Sequence, residues 1–352
     1  MVINDDGTLL GLLLLIKHLI PFVLFFLGCI FLYYSSESFI DHSIIISQKI
    51  SISPIIIGAS VVALGTSLPE LLVSLYSIFA YSNPNDTGSL ISSSIVIGNG
   101  AAELIDKVTG SLKGRFGLYG PTFEEYTARF KNVDLRVPST EGFRYGKDDV
   151  IALAEDNDGV ILINPDNPSG NFICYADIID ILESLYAEDK YLILDESFLD
   201  FAENGFESSV LNDTDLQRFP NLVVIKSIGK SYGVGGLRLG VLASSNKDIV
   251  KDVKSNIPIW NINSIAEFYL QIIGKYTEEY ESACTKLIQA RDGLMEGLRG
   301  ISYLEPYESQ ANYIFCKVID KDAGQLASDL CNEYSILIKD CSGKGSIEDQ
   351  YI

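Results

Sequence analysis

Two textures of hydrophobic patterning divide the chain. Leu9 to Tyr34 is apolar except for Lys17 and His18. Its part from Leu19 to Tyr34, extended by a few residues either way, approaches the roughly 20 residues that a helix needs to span a bilayer. A signal peptide is the alternative, but the run is long and no small-residue cleavage site follows it. A second run, Ile55 to Ala80, follows Pro54 and is interrupted by Gly65-Thr66-Ser67-Leu68-Pro69-Glu70. Glycine and proline there would unwind a helix in mid-membrane, and an unwound segment can turn carbonyls, hydroxyls and a carboxylate toward a cation. A soluble buried helix with a Pro-Glu cap is the other reading. A polar turn, Tyr81 to Gly88, leads to a third run, Leu90 to Ile97, too short to span a membrane.

Beyond Ile97 the apolar runs shrink to strand length. Gly159 to Ile163, Tyr191 to Leu194 and Leu222 to Ile225 read as buried strands, with the amphipathic, helix-like stretch Tyr175 to Ala187 between the first two. Strand, helix, strand, with acids and amides at the carboxyl ends, predicts a doubly wound, mostly parallel α/β sheet whose site lies at those ends. A smaller α+β domain, Thr285 to Ile352, is expected to carry strands near Ala311 to Val318 and Ser335 to Lys339.

Charge sharpens the division. Net charge over the 352 residues is −21, yet up to Gly98 the only Lys or Arg residues are Lys17 and Lys49. The first hundred residues are membrane-like and the rest are acidic and soluble. No basic stripe exists to meet phosphates of DNA or RNA, which argues against nucleic acid as a partner. Six cysteines form no CxxC pair, and only two histidines, His18 and His42, are present. These read as free thiols of a reducing compartment, not as metal ligands or bridges.

The candidate chemistry centres on Ile225 to Gly240, IKSIGKSYGVGGLRLG, where Lys230 stands in a small-residue loop eight positions before Arg238. A lysine at the end of a buried strand can form a Schiff base with an aldehyde when desolvation and a nearby cation keep its amine uncharged. A surface turn with an ordinary lysine fits the same stretch. Upstream, Gly98 to Ile105 reads as a Gly-rich turn opening a helix whose free N–H groups can receive a phosphate. YGPTFEEY, Tyr119 to Tyr126, puts Phe123 in a turn, for stacking on a cofactor ring or for core packing. NPDNPSG, Asn164 to Gly170, holds the Asn167 amide in a tight turn. Asp195 ends a strand, either as a helix cap or as the carboxylate that an electron-sink cofactor requires beside its pyridine nitrogen.

Two families are resembled. The run IIIGASVVALGTSLPELLVSLYS, Ile55 to Ser77, with SIVIGN, Ser94 to Asn99, resembles the first alpha-repeat of the sodium/calcium exchanger superfamily over about Leu9 to Asn99. That resemblance implies a cation site formed with Thr66, Ser67 and Glu70. It also implies a second, inverted repeat, and the chain shows no second segment of that kind. NGAAELI, GPTFEEY, NPDNPSG, LDESFLDF and SIGKSYGVGGLRLG, in that order, resemble fold-type I aminotransferases over about Gly98 to Ile352, nearest the histidinol-phosphate aminotransferase and threonine-phosphate decarboxylase-like branch. This second resemblance implies pyridoxal 5′-phosphate as cofactor and Lys230 as the Schiff-base lysine. It further implies Asp195 at the pyridinium nitrogen, Asn167 at the phenolate oxygen and Phe123 stacked on the ring. The phosphate would be held by the Gly100, Ala101 and Ala102 backbone, Ser227 and Arg238. An amino donor, a 2-oxo acid acceptor and a homodimer are implied with it.

Three departures accompany the resemblance. Phe198 stands where many relatives carry Tyr, the exchanger-like run replaces the segment that covers the substrate in relatives, and the arginine that grips the substrate carboxylate in relatives would lie beyond Ile352. The expected organisation is a transmembrane, all-α segment over 1–98, a cofactor-binding large domain over 99–284 and a truncated small domain over 285–352. The two resemblances share Gly98-Asn99 with no linker between them, which suggests a recombined or misassembled reading frame; a natural membrane-tethered enzyme is the alternative. The expectation is an aminotransferase, membrane-attached with its enzyme part in the cytoplasm. Half of a cation antiporter and a non-functional chimera are the competing expectations.

Overall fold

The computed structural model describes residues 94–344 and 349–352, and these fall in one compact unit, Thr87–Ile352. The expected membrane runs lie outside the described residues, as do Thr66, Ser67 and Glu70. Among the described residues no helix is long and apolar enough to cross a membrane.

Seven strands make the main sheet: β1 (Ile95–Asn99), β2 (Phe116–Tyr119), β3 (Val133–Arg136), β4 (Gly159–Ile163), β5 (Tyr191–Asp195), β6 (Leu222–Ser227) and β7 (Leu239–Ala243). Their spatial order is β1-β7-β6-β5-β4-β2-β3. β3, β2, β4, β5 and β6 pair in parallel, and β7 runs antiparallel to both β1 and β6. The helices are α1 (Ala101–Ser111), α2 (Glu124–Arg129), α3 (Lys147–Glu155), α4 (Tyr175–Ala187), α5 (Asp213–Arg218), α6 (Ile228–Ser231), α7 (Lys247–Asn256), α8 (Ser264–Ile272), α9 (Thr277–Arg299) and α10 (Ala323–Tyr334).

Side chains in a strand alternate between faces, and here each face has its own core. Val160, Leu162, Leu192, Leu194, Leu222 and Val224 pack with Val150 and Leu153 of α3 and with Ile178, Ile181, Leu182 and Leu185 of α4. Their neighbours Ile161, Ile163, Ile193, Val223 and Ile225 face the other way, onto Leu104, Ile105 and Val108 of α1 and Ile249, Val250 and Val253 of α7. The spacing 178, 181, 182, 185 is the buried stripe of a helix, which is why the apolar pattern locates α4. Each such side chain contributes about 1.5–3 kcal/mol on burial, so two layers of them fix the strand ends where the candidate residues sit.

Two sequence-based expectations change. Of the expected strand at 311–318 only β9 (Cys316–Val318) forms, antiparallel to β8 (Leu304–Pro306). Residues 335–339 form no strand, because Ser335 closes α10 in a left-handed conformation. The Ile336 N–H bonds back to the Leu330 carbonyl, and Leu337 is left 84% exposed. Tyr351 bridges to Lys317 instead, and its ring stacks on Phe315 at 4.9 Å. The junction string is equally informative. All five residues of β1 pair with β7, from Ile95 opposite Ala243 to Asn99 opposite Leu239. The division drawn between residues 98 and 99 therefore runs through β1, and that between 284 and 285 runs through α9.

Candidate active site

The parallel strands bring their carboxyl ends to one edge of the sheet. Ile163, Asp195 and Ile225 lie side by side in register, so the turns that follow β4, β5 and β6 share one cleft. Asp195 is 3% exposed. One carboxylate oxygen accepts the Tyr126 hydroxyl at 2.8 Å and the other accepts the Ser197 N–H at 2.9 Å. Tyr126 is wholly buried. Burial above all, then the charge and hydrogen bond of Asp195, hold its phenol well above the usual tyrosine range, so it remains a donor.

Lys230 follows in α6. Its amine lies 4.3 Å from the ring centroid of Phe198 and 4.8 Å from that of Phe123. The residue is exposed as a whole, but protein crowds the amine itself. Burial pulls the ammonium below the usual lysine range; Asp195 opposes that shift and the Arg238 cation adds to it. An amine biased toward its neutral form is a competent nucleophile and proton carrier.

A second cluster is assembled by strand register. Gly98 of β1, Gly240 of β7 and Ser227 of β6 are successive partners across the sheet. Gly240 lies beneath the first turn of α1. A Cβ there would meet the Ala101 nitrogen at 2.4 Å and the Gly100 carbonyl carbon at 2.5 Å. Gly100 has φ 83°, and a Cβ on it would stand 2.6 Å from a guanidinium nitrogen of Arg238. Arg238 reaches that place from a left-handed residue, φ 56°. The structure thus brings Gly100, Ala101, Ser227 and Arg238 together at the N-terminus of α1, with Ala102 next in that helix and no side chain capping it. Backbone N–H groups and a cation at one helix start make an anion cradle.

The turn after β4 is held from several sides. Asn164 exchanges 2.8 Å hydrogen bonds with the Ile173 backbone. Buried Asp166 accepts Ser169 at 2.7 Å and Thr122 at 2.9 Å, and the Tyr313 hydroxyl donates to the Asp166 carbonyl at 2.8 Å. Half-buried Asn167 stands on this frame. Tyr313 also meets the Phe198 ring edge-on at 5.0 Å, so the turn after β4 and the loop after β5 support each other.

Sequence reasoning missed Tyr126, Ser197 and Tyr313. Tyr126 belongs to the same YGPTFEEY string as Phe123, and the three-residue spacing on a helix start was the available signal. The Ser197 hydroxyl accepts the Ser227 N–H at 2.9 Å, a cross-strand tie with no local sequence mark. Among the described residues no group of His, Cys, Asp and Glu could hold a metal ion.

Comparison with known proteins gives the family. Residues 71–348 match the model of aminotransferase class I and II. Residues 20–111 match that of the sodium/calcium exchanger protein, although 95–99 and 101–111 of that span are β1 and α1 of the sheet unit. A CMP-5′-(3-aminopropyl)phosphonate synthase of Streptomyces rubellomurinus is 31% identical over 71% of this chain, which spans only 40% of that protein's length. An L-serine phosphate decarboxylase of Campylobacter jejuni is 28% identical over 73% of this chain and 68% of its own. The crystal structure of the histidinol-phosphate aminotransferase of Clostridium acetobutylicum superposes with a TM-score of 0.66 at 27% identity, covering 73% of this chain and 77% of that one. With a family match over most of its length and the fold-type I architecture, this chain belongs to the class I and II aminotransferases, and its cofactor is pyridoxal 5′-phosphate.

Proposed function

We propose that the enzyme unit transfers the amino group of an amino acid, or of an amino-acid-like substrate, to a 2-oxo acid, with Lys230 as the reacting amine. The observation that carries this reading is that the Lys230 amine lies against both the Phe123 and the Phe198 rings, at the same strand ends as the Asp195 carboxylate, which accepts two hydrogen bonds. The residues present fit pyridoxal phosphate. The anion cradle at Gly100, Ala101, Ala102, Ser227 and Arg238 would take its phosphate, Phe123 would cover one ring face, and Asn167 would donate to the ring oxygen.

When bound, pyridoxal phosphate supplies a protonated ring that accepts the electron pair left when a bond to the substrate's amino-bearing carbon breaks. Asp195 holds a proton at the ring nitrogen, and the donors on its two oxygens keep it aimed there. The Lys230 amine, freed when the substrate's amino group takes its place, would carry the proton from the α carbon to the cofactor's C4′ carbon, the shift that amino-group transfer requires. Its depressed basicity leaves more of it free to do so near neutral pH. A homodimer is proposed as the working assembly.

The test is a reaction of the cofactor-loaded protein with amino acids and their O-phosphates as donors and 2-oxoglutarate as acceptor. Formation of glutamate supports transfer. Because relatives carry decarboxylase names, released CO2 without glutamate would reassign the reaction, and neither product would refute the reading. The match of residues 20–111 to the exchanger model supports a second reading for the N-terminal segment alone, a membrane attachment with Thr66, Ser67 and Glu70 toward a cation and the enzyme unit on the cytoplasmic side. Sodium-driven calcium flux in vesicles, lost in Glu70→Gln, would establish it; equal flux in empty vesicles would end it.

A further inference from the structure

The turn that carries Lys230 is locally weak. α6 is four residues long and runs into Gly233, at φ 65°, and then Gly235 and Gly236. Glycines there leave the backbone free to rearrange unless outside contacts restrain it. Those contacts converge on one carboxylate that the proposed chemistry does not use. Asp200 lies in a single 3-10 turn, Leu199–Phe201, after β5 and is 3% exposed. One of its oxygens pairs with the Lys226 ammonium at 2.6 Å; the other accepts the Tyr280 hydroxyl at 2.5 Å. Lys226 stands four residues before Lys230. The Tyr280 ring, from α9, stacks flat on Tyr232, two residues after Lys230, with centroids 3.8 Å apart and planes 10° apart.

We infer that Asp200 is a positioning residue, which holds both flanks of the Lys230 turn, through Lys226 on one side and through Tyr280 and Tyr232 on the other. The inference rests on the reading of Lys230 as the reacting amine. Asp200 touches neither Lys230 nor the anion cradle, so its effect passes through the backbone. The charged and titratable groups around each end are distinct. Lys226, Glu196, Tyr232, Tyr280 and Cys284 surround Asp200, whereas Asp195 and Arg238 act on Lys230. A change in Lys230 on altering Asp200 therefore reports movement of the turn. Buried charge pairs with added hydrogen bonds are suited to this work, because they tolerate few alternative geometries.

The experiment compares wild type with Asp200→Asn and Tyr280→Phe as cofactor-free protein. Amide exchange is read over residues 228–236, and Lys230 acylation is followed by peptide mass spectrometry as a function of pH. The expected result is exchange at 228–236 at least tenfold faster in Asp200→Asn, with peptides of β4 and β5 unchanged. The pH of half-maximal Lys230 acylation should rise toward that of an ordinary lysine as the amine becomes solvated. Tyr280→Phe keeps the ring stack and loses only the hydroxyl, so it should show a smaller change in the same direction, and it decides the matter if Asp200→Asn does not fold. Wild-type exchange and acylation in the folded variants overturn the inference. Loss of the cofactor absorbance band in Lys230→Ala, alongside unchanged turns, would sink only this inference; retention of the band would sink the reading of Lys230 itself.

Discussion

Gly240→Ala probes the cradle from beneath, by a change at a residue that is not itself one of the cradle groups but lies against their backbone. The added methyl would stand 2.4 Å from the Ala101 nitrogen and 2.5 Å from the Gly100 carbonyl carbon. Both are backbone atoms, so no rotamer change relieves the clash, and the first turn of α1 must move away from β7. Overpacking of this kind costs about 1–3 kcal/mol, which lowers the melting temperature by roughly 2–12 °C at about 2–4 °C per kcal/mol for a domain of this size. Displacing the helix start also separates its N–H groups from Arg238, which already lies against Gly100. A loss of about 1.4 kcal/mol in phosphate binding is a tenfold rise in Kd. Denaturant melts of the cofactor-free protein give the first quantity, and titration with pyridoxal phosphate, followed by absorbance, gives the second. The Lys230 band should still form at saturation, because β6 and α6 are not displaced. Wild-type stability with wild-type affinity would refute the placement of the cradle over Gly240.

Two further outcomes follow from the same geometry. Tyr126→Phe keeps the ring in its buried site and removes one of two donors to the Asp195 carboxylate; hydrogen bonds to charged groups contribute about 1.5–3 kcal/mol, and urea denaturation should show a loss of that size. Burial raises the Asp166 carboxyl from 3.8 to about 6, against the hydrogen bonds of Ser169 and Thr122. The folded state then binds more protons than the unfolded chain between about pH 4 and pH 6, so stability falls as pH rises across that window, by about 3 kcal/mol at roughly 1.4 kcal/mol per unit. Asp166→Asn should flatten that part of the stability profile, and an unchanged slope would show that another group carries it.

Much of the sheet is legible because parallel strands buried on both faces leave unbroken apolar runs. Gly159–Ile163 and Tyr175–Ala187 have the limits that the pattern gives, while β5 and β6 extend one and two residues further, into Asp195 and into Lys226-Ser227. Those polar ends are where the site begins, so apolar patterning stops short of it. The Lys230 to Arg238 spacing is readable as a string, but the reason for it is not: Arg238 returns to Gly100 only because β7 runs antiparallel between β1 and β6. Long-range partners such as Tyr126 with Asp195 leave no periodic trace, being 69 residues apart. The small domain is the least legible, since isolated apolar residues such as Leu337 become a strand only beside a partner, and among the described residues no strand pairs with 335–339. The junction string is ambiguous for the opposite reason, and it lies within both family matches. SIVIGN suits an apolar membrane run and an edge strand equally, and only its pairing with β7 tells them apart.

The central claim is that Lys230 is the amine that bonds the cofactor. Protein loaded with pyridoxal phosphate, reduced with sodium borohydride and digested, should carry one pyridoxyl-phosphate mass addition, on the peptide that contains Lys230, and Lys230→Ala should carry none. Stoichiometric addition to another lysine, such as Lys226 or Lys344, or undiminished addition in Lys230→Ala, would contradict it.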